Sequence, residues 1–577
     1  MQIVSFIFYL VFFGLVGAIA MAGNSSYTNP ILPGWHSDPS CIYVKEHDTF
    51  FCVTSSFLAF PGLPLYASKD LINWRLSSNV FSRQDQVPQI ASLQNQQAGI
   101  WAATIRYHKG TFYVITASID LTPWSITGLI FTSTDPYNNE AWNDPIVFDT
   151  DEIDPDIFWD DDGQVYISSG NGAQSKFDFE TGSLGPKYTI WNGTGERNPE
   201  GPHIYKKDGY YYVLFAEGGT ELGHVATIAR SKTVSGPYES YAGNPILTNR
   251  NTTEYFQTVG HADLFEDGSG NWWGVALATR SGPEWTNYPM GRETVLYPVT
   301  WETGEWPVLQ PVRGRMGGNL PAPDRNITGV GQFVEDPDKI DFTPGSSLPG
   351  HLVSWRFPAP GTFEISPDGH PNTLSIKPSR ANLTSSPDSL EQISLIMRRQ
   401  IHTLFTFKVN ISFDPKTVGA ETGVVAFLTQ QQHIDLGVVL LSQDTPRGTT
   451  STAPVPHLKF QATGTDKDNG TVPATVLRPI PESWYGSPIT FQIQAVNDTH
   501  FTFAAGPSSN SSRLEVLGTA PSSILSGGTG PFTGTLLGVY ATTNGDNSTQ
   551  DLAFITKWRY EGQAQAVASG EYVPAKC

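Results

Sequence analysis

Apolar and polar positions over the first three hundred or so residues fall into short alternating runs, and one phrase recurs five times. Each copy opens on a polar or aromatic residue, continues as an apolar strand, turns at a Gly or Asp cluster, and returns in a strand rich in Tyr, Phe or Trp. The copies are Asp38–Asp48 (DPSCIYVKEHD), Trp101–Gly110 (WAATIRYHKG), Asp154–Gly163 (DPDIFWDDDG), Glu200–Gly209 (EGPHIYKKDG) and His261–Gly270 (HADLFEDGSG). In the last four, the opening residue and the turn glycine are nine positions apart; the first lacks the glycine and turns near His47–Asp48. Each copy therefore reads as a β-hairpin. The roughly forty-five to sixty-five residues between copies leave room for two more strands each. A second echo falls between them, at Ser68-Lys69-Asp70, Ser133-Thr134-Asp135 and Ser231-Lys232, and a third pairs Asn29-Pro30-Ile31-Leu32 with Asn244-Pro245-Ile246-Leu247. Four-stranded units repeated around an axis make a β-propeller, so the pattern predicts five blades whose innermost strands line a channel. A sandwich also uses many hairpins, but it does not need so regular a register.

The phrase stops near Trp301–Trp306, and residues 307–345 are rich in Pro, Gly and Asp, as a connection packed along the first domain would be. Beyond about residue 348 the strands lengthen, as at Thr403–Phe413, Gly423–Leu428 and Ile434–Leu441, with Ser/Thr/Gly/Pro-rich turns between them. That texture predicts a β-sandwich. The expected division is a signal peptide over 1–22, an all-β five-bladed propeller over 23–325, a linker over 326–347 and a sandwich over 348–577.

The formal charge of −20 on 577 residues disfavours nucleic acid and anionic membranes as partners, and leaves neutral polymers open. An apolar run from Ile3 to Ala20 ends in Ala20-Met21-Ala22, a secretory signal with a small-residue cleavage site, although its start carries no Lys or Arg; an uncleaved anchor is the alternative. Ten Asn-x-Ser/Thr sequons, from Asn24 to Asn547, fit a secreted glycoprotein. Of three cysteines, Cys41 and Cys52 flank the first hairpin turn and would face each other, either as a disulfide or as two buried thiols; Cys577 has no evident partner. There is no Cys/His cluster with metal-ligand spacing and no phosphate-binding glycine loop, so no cofactor is required by the pattern.

Three of the five in-register openings are carboxylates: Asp38 in HSDP, Asp154 in IDP and Glu200 in PEGP. Glycoside hydrolysis with inversion needs one carboxylate to activate water and one protonated carboxyl to protonate the leaving oxygen, roughly 6.5–9.5 Å apart. A third carboxylate beside the acid raises its pKa by like-charge repulsion. A single Asp before Pro more often only caps a turn; three at matching positions point to catalysis. Asp160-Asp161-Asp162 sits on a hairpin tip and reads as a solvated turn. His261 opens the fifth inner strand and faces the channel, as a functional group or a hydrogen-bonded core residue. Trp101, by register, can stack on a sugar face or pack in the core.

The strings HSDPSC, IDPDIFWDDDG, PEGPHIYKKDGYYY and VGHADL, with SSFLAFPGLPLYASKDLINW, resemble glycoside hydrolase family 43 across the whole chain, the second half included. The resemblance implies an inverting mechanism with Asp38 as general base, Glu200 as general acid and Asp154 orienting Glu200 and tuning its pKa. It implies that Phe57 and Arg292 touch the sugar; without it, Phe57 is core and Arg292 a surface ion pair. It also implies that His261 reaches a structural calcium in the channel through solvent. The expected activity is release of terminal pentoses from hemicellulose, as an α-L-arabinofuranosidase acting on arabinoxylan side chains or an exo-β-xylosidase acting on xylo-oligosaccharides, by a secreted monomer. A propeller lectin without turnover is the reading from another class, and the aligned carboxylates count against it.

Overall fold

The computed structural model describes residues 25–385, 391–442, 453–465, 471–510, 513–527, 532–547 and 550–576. The expected signal peptide (1–22), Asn24, Asn469 and Cys577 fall outside them. Among the described residues the chain is all-β, with only short 3-10 turns between strands.

The first half forms five consecutive antiparallel sheets. Their first strands are Ser40–Val44, Gly99–His108, Asp156–Trp159, Glu200–Lys207 and Phe256–Glu266, and each is followed in chain order by its neighbours in the sheet. Four sheets have four strands; the third has two short strands, Ser183–Leu184 and Tyr188–Thr189, sharing its outer position. The recurring phrase is the first hairpin of every sheet. Lys109-Gly110 and Asp208-Gly209 both take positive φ, the two-residue turn that matches strand twist. In the first sheet Asp48 stands at φ 46, and Asp tolerates this region well enough to replace the glycine the other copies carry. Cys41 pairs directly with Cys52 across that hairpin and the two form a disulfide.

The first strand of each sheet packs against the first strand of the next, and the fifth packs back on the first. The third echo explains how the first sheet region is tied to the fifth sheet. Asn244 pairs both its amide groups with the backbone of Ile228, and Asn29 does the same with Leu296 one sheet later. Leu247 then bridges to Ala226, and Leu32 to Thr294. The N-terminal stretch thus does for the fifth sheet what residues 244–247 do for the fourth, and ties the beginning of the chain to the last sheet. The acidic tip at Asp160–Asp162 is more than a solvated turn. Asp160 accepts from Lys206 Nζ (2.7 Å) and Tyr211 Oη (2.8 Å) of the next sheet, while Asp161 and Asp162 are exposed.

The second half is a sandwich of a nine-stranded and a six-stranded sheet. Leu404–Ser412 alternates buried and half-buried positions, facing Phe405, Phe407, Val409 and Ile411 into the core. Glu421–Thr429 is buried at every position, because the six-stranded sheet is covered on both faces. Val424 and Ala426 join the sandwich core, whereas Val425 and Phe427 join Trp35, Phe57 and Trp355 in a core shared with the first half. Within the expected linker, Asp338–Ile340 is a strand of the nine-stranded sheet, and Arg75 bridges to Phe333.

Candidate active site

The residues opening the five copies of the phrase converge on one cavity of about 330 Å³, at the small end of the range for ligand sites. Asp38, Trp101, Asp154, Glu200 and His261 all line it, with Phe57 and Arg292. Asp38, Asp154 and His261 share a left-handed backbone, at φ 54, 55 and 49, and Gly201 after Glu200 has φ 56. Such a conformation is costly for side-chain-bearing residues and collects at functional sites. Here it accompanies side chains that line the cavity. Gly201 has a second reason to be glycine, since a Cβ there would lie 2.8 Å from His261 Nε2.

The three carboxyl groups are treated differently. Arg292 donates to both Asp38 oxygens, at 2.7 and 3.2 Å, and Ser55 Oγ adds a bond of 2.9 Å. Burial would raise the Asp38 pKa, but Arg292, His261 and the Ser55 and Ser37 hydroxyls outweigh it and hold the group below 3.8. Asp154 has no such clamp. Burial, opposed by His261 and reinforced by Asp38, lifts it to about 6. Glu200 goes furthest: burial, then the charges of Asp154 and Asp38, push it well above 4.5. Side-chain atoms of Asp154, Glu200 and His261 lie within 4.8 Å of one another, so the repulsion acts at short range. One carboxylate is thus kept charged and another kept protonated, the division of labour that acid–base hydrolysis of a glycoside requires.

Arg292, expected to face the sugar, is first of all the clamp on Asp38. His261 Nδ1 is 3.7 Å from Asp38 Oδ1. Phe57 is buried, with its ring centroid 5.9 Å from Trp101, and Trp101 is half-buried with Nε1 donating to Gln97 O. Both rings stand on the cavity wall as well as on the shared core.

The sequence reading missed the rest of the wall. Trp124, 56% exposed, sits edge-on to Trp101 at the rim. Asn171, Thr220 and Glu221 also line the cavity. A topological signal marks them: in an antiparallel sheet the second strand ends beside the start of the first, and these residues all follow second strands. Phe532 has no such signal. It comes from the sandwich, its ring 6.3 Å from Phe57 and 6.1 Å from Trp101, its carbonyl accepting from Arg292 Nε (3.1 Å) and its N–H donating to Gln97 (2.6 Å).

Sheet order, left-handed backbone at the site and a split set of buried carboxyls make a site suited to glycoside cleavage, and comparison with known proteins gives the same class. Residues 27–307 match the glycosyl hydrolases family 43 model, and residues 339–561 match the β-xylosidase C-terminal concanavalin A-like domain. A non-reducing end α-L-arabinofuranosidase of Bacteroides ovatus is 32% identical, the match covering 94% of this chain and 97% of the relative. A xylosidase/arabinosidase of Butyrivibrio fibrisolvens is 34% identical over 71% of this chain and 79% of its own. Among solved structures, a Bacillus halodurans xylan β-1,4-xylosidase superposes with a TM-score of 0.78 at 25% identity, covering 92% of this chain and 99% of that one. The chain belongs to glycoside hydrolase family 43 and is a glycosidase.

Proposed function

We propose that this protein is a secreted, exo-acting α-L-arabinofuranosidase that removes terminal arabinose from arabinoxylan by inversion, its five sheets arranged as the blades of a propeller. The cyclic packing of the five first strands supports the propeller. The observation that carries the chemistry is the split between a clamped, charged Asp38 and a protonated Glu200 in one cavity. Asp38 takes a proton from water as the water oxygen attacks the anomeric carbon. Glu200 gives its proton to the glycosidic oxygen as the bond to that carbon breaks. Asp154 keeps Glu200 protonated, and Arg292 keeps Asp38 ionised and has one Nη2 N–H left for the sugar.

The near full-length similarity to an enzyme named for arabinofuranosidase activity supports arabinose as the glycone. The equally complete superposition on a β-1,4-xylosidase supports the second reading, an exo-β-xylosidase using the same residues. The aromatic wall of Phe57, Trp101, Trp124 and Phe532 fits the apolar face of either pentose. The division into propeller, linker and sandwich, the signal peptide, and a monomeric enzyme complete the reading; ten sequons support secretion.

Product analysis on arabinoxylan and on xylo-oligosaccharides tests this. Arabinose alone is the expected product. Xylose released from chain ends, with no arabinose, would move the assignment to β-xylosidase.

A further inference from the structure

Two residues beyond each strand entrance, the same strands carry a second ring of polar groups. Ser40, Asp156 and Asp263 follow Asp38, Asp154 and His261 by two, and His203 follows Glu200 after a bulge. From the second sheet Arg106 reaches this ring. Its guanidinium contacts Asp156 Oδ1 at 2.9 Å, Asp263 Oδ2 at 3.2 Å, His203 Nδ1 at 3.0 Å and Ser40 Oγ at 3.4 Å. One side chain thereby touches the first strands of all four other sheets. Both aspartate side chains are fully buried. Asp263 is saturated, accepting also from Ser40 Oγ (2.7 Å), Cys41 N (3.3 Å), Tyr205 Oη (2.7 Å) and Leu264 N (2.9 Å). Asp156 also accepts from Ile204 N (2.8 Å).

These residues do not fit the structural calcium that the family resemblance implies. Calcium takes six to eight oxygen ligands. Asp263 already holds Arg106 and four further N–H and O–H donors, and Asp156 faces Arg106 with one oxygen and Ile204 N with the other, so the guanidinium stands where an ion would have to sit. The one group of carboxylate and imidazole atoms with metal-ligand spacing among the described residues is Asp154, Glu200 and His261, which is the acid site itself. A divalent ion there would displace the proton that Glu200 has to deliver.

We propose that Arg106 is the built-in cation of this channel, closing the ring of five sheets in place of calcium and making the enzyme's fold metal-independent. The proposal rests on the ring arrangement and not on which pentose is cleaved, so it is read from metal content and thermal stability. The full-length protein, purified without chelator, is expected to contain no stoichiometric calcium by elemental analysis, with the same Tm in EDTA and in millimolar calcium chloride. Arg106→Met leaves two buried carboxylates without a cation, and its Tm is expected to fall by about 5 °C or more. Its Tm is then expected to rise with added calcium, because the emptied ring is acidic. Arg106→Lys, keeping the charge, is expected to recover part of the loss. A wild-type Tm that drops in EDTA and returns with calcium would overturn the proposal, as would an Arg106→Met protein as stable as wild type. If Arg106→Met does not fold, the wild-type measurements and Arg106→Lys still decide.

Discussion

The same five strands build two acidic layers, and they build them in opposite ways. At the mouth, Asp38, Asp154 and Glu200 share one guanidinium, Arg292, whose charge is spent on Asp38. Asp154 and Glu200 remain uncompensated, and their pKa values rise. One layer down, Asp156 and Asp263 share Arg106; Asp263 is held below its usual range although it is buried, whereas at Asp156 burial outweighs Arg106 and lifts the group to about 6. Asp263 is saturated by donors where Asp154 and Glu200 are not, although all three stand in copies of one phrase, so local sequence cannot account for the contrast. The lower layer is centred on a cation, Arg106, that joins the sheets; the upper layer leaves Glu200 without a matching cation so that a proton can move. Strain and like-charge repulsion at a site are tolerated where neighbouring structure is over-determined.

The contrast can be broken from either side. The largest effect is expected from Glu200→Gln, which removes the transferable proton: kcat should fall by about 10²–10⁴-fold, with Tm little changed because a neutral amide replaces a neutral, protonated acid of the same shape. A variant that kept its turnover would remove Glu200 from the mechanism. Asp263→Asn should do the reverse. It uncouples Arg106 and is expected to cost about 3–5 kcal/mol of stability in denaturant unfolding, while kcat/KM of the protein that remains folded changes little. Equal losses of activity in the two variants would mean that the layers are not separable.

Asp154→Asn sharpens the comparison through pH. Glu200 works protonated, so activity declines as pH rises through its elevated pKa; Asp38 works ionised, so activity declines as pH falls through its depressed one. Removing the Asp154 charge lowers the Glu200 pKa, and the alkaline limb of the kcat/KM profile should move to lower pH with the acid limb nearly in place. An unmoved alkaline limb would show that Asp154 only positions Glu200. The smallest effect is expected at the rim. Phe532→Ala should raise KM several-fold, on the order of one methylene-scale contact or two, and leave both limbs of the profile alone.

Much of this was legible along the chain. The five hairpins, their turn glycines and the in-register acids follow from spacing, because strand and turn preferences act over a few residues and repeat with the sheet. The Cys41–Cys52 pairing follows from the same hairpin arithmetic. The chemistry of the acids was legible only as a set, since nothing local distinguishes Asp154 from Asp156. Arg292 looked like a surface cation apart from the family resemblance, and its role appears only when the third strand of the fifth sheet is laid beside Asp38. Arg106, in a strand otherwise read for Trp101, gave no sign of standing at the centre of a ring.

The sequence by itself determined the units, their number and the face on which the acids open, for these are encoded in two-residue alternation and short turns. Tertiary structure alone decided which acid is charged, what cation fills the channel, and that Phe532 completes the wall. Those depend on desolvation and on charges from other sheets and from the sandwich, brought within a few ångströms by packing that no local pattern records.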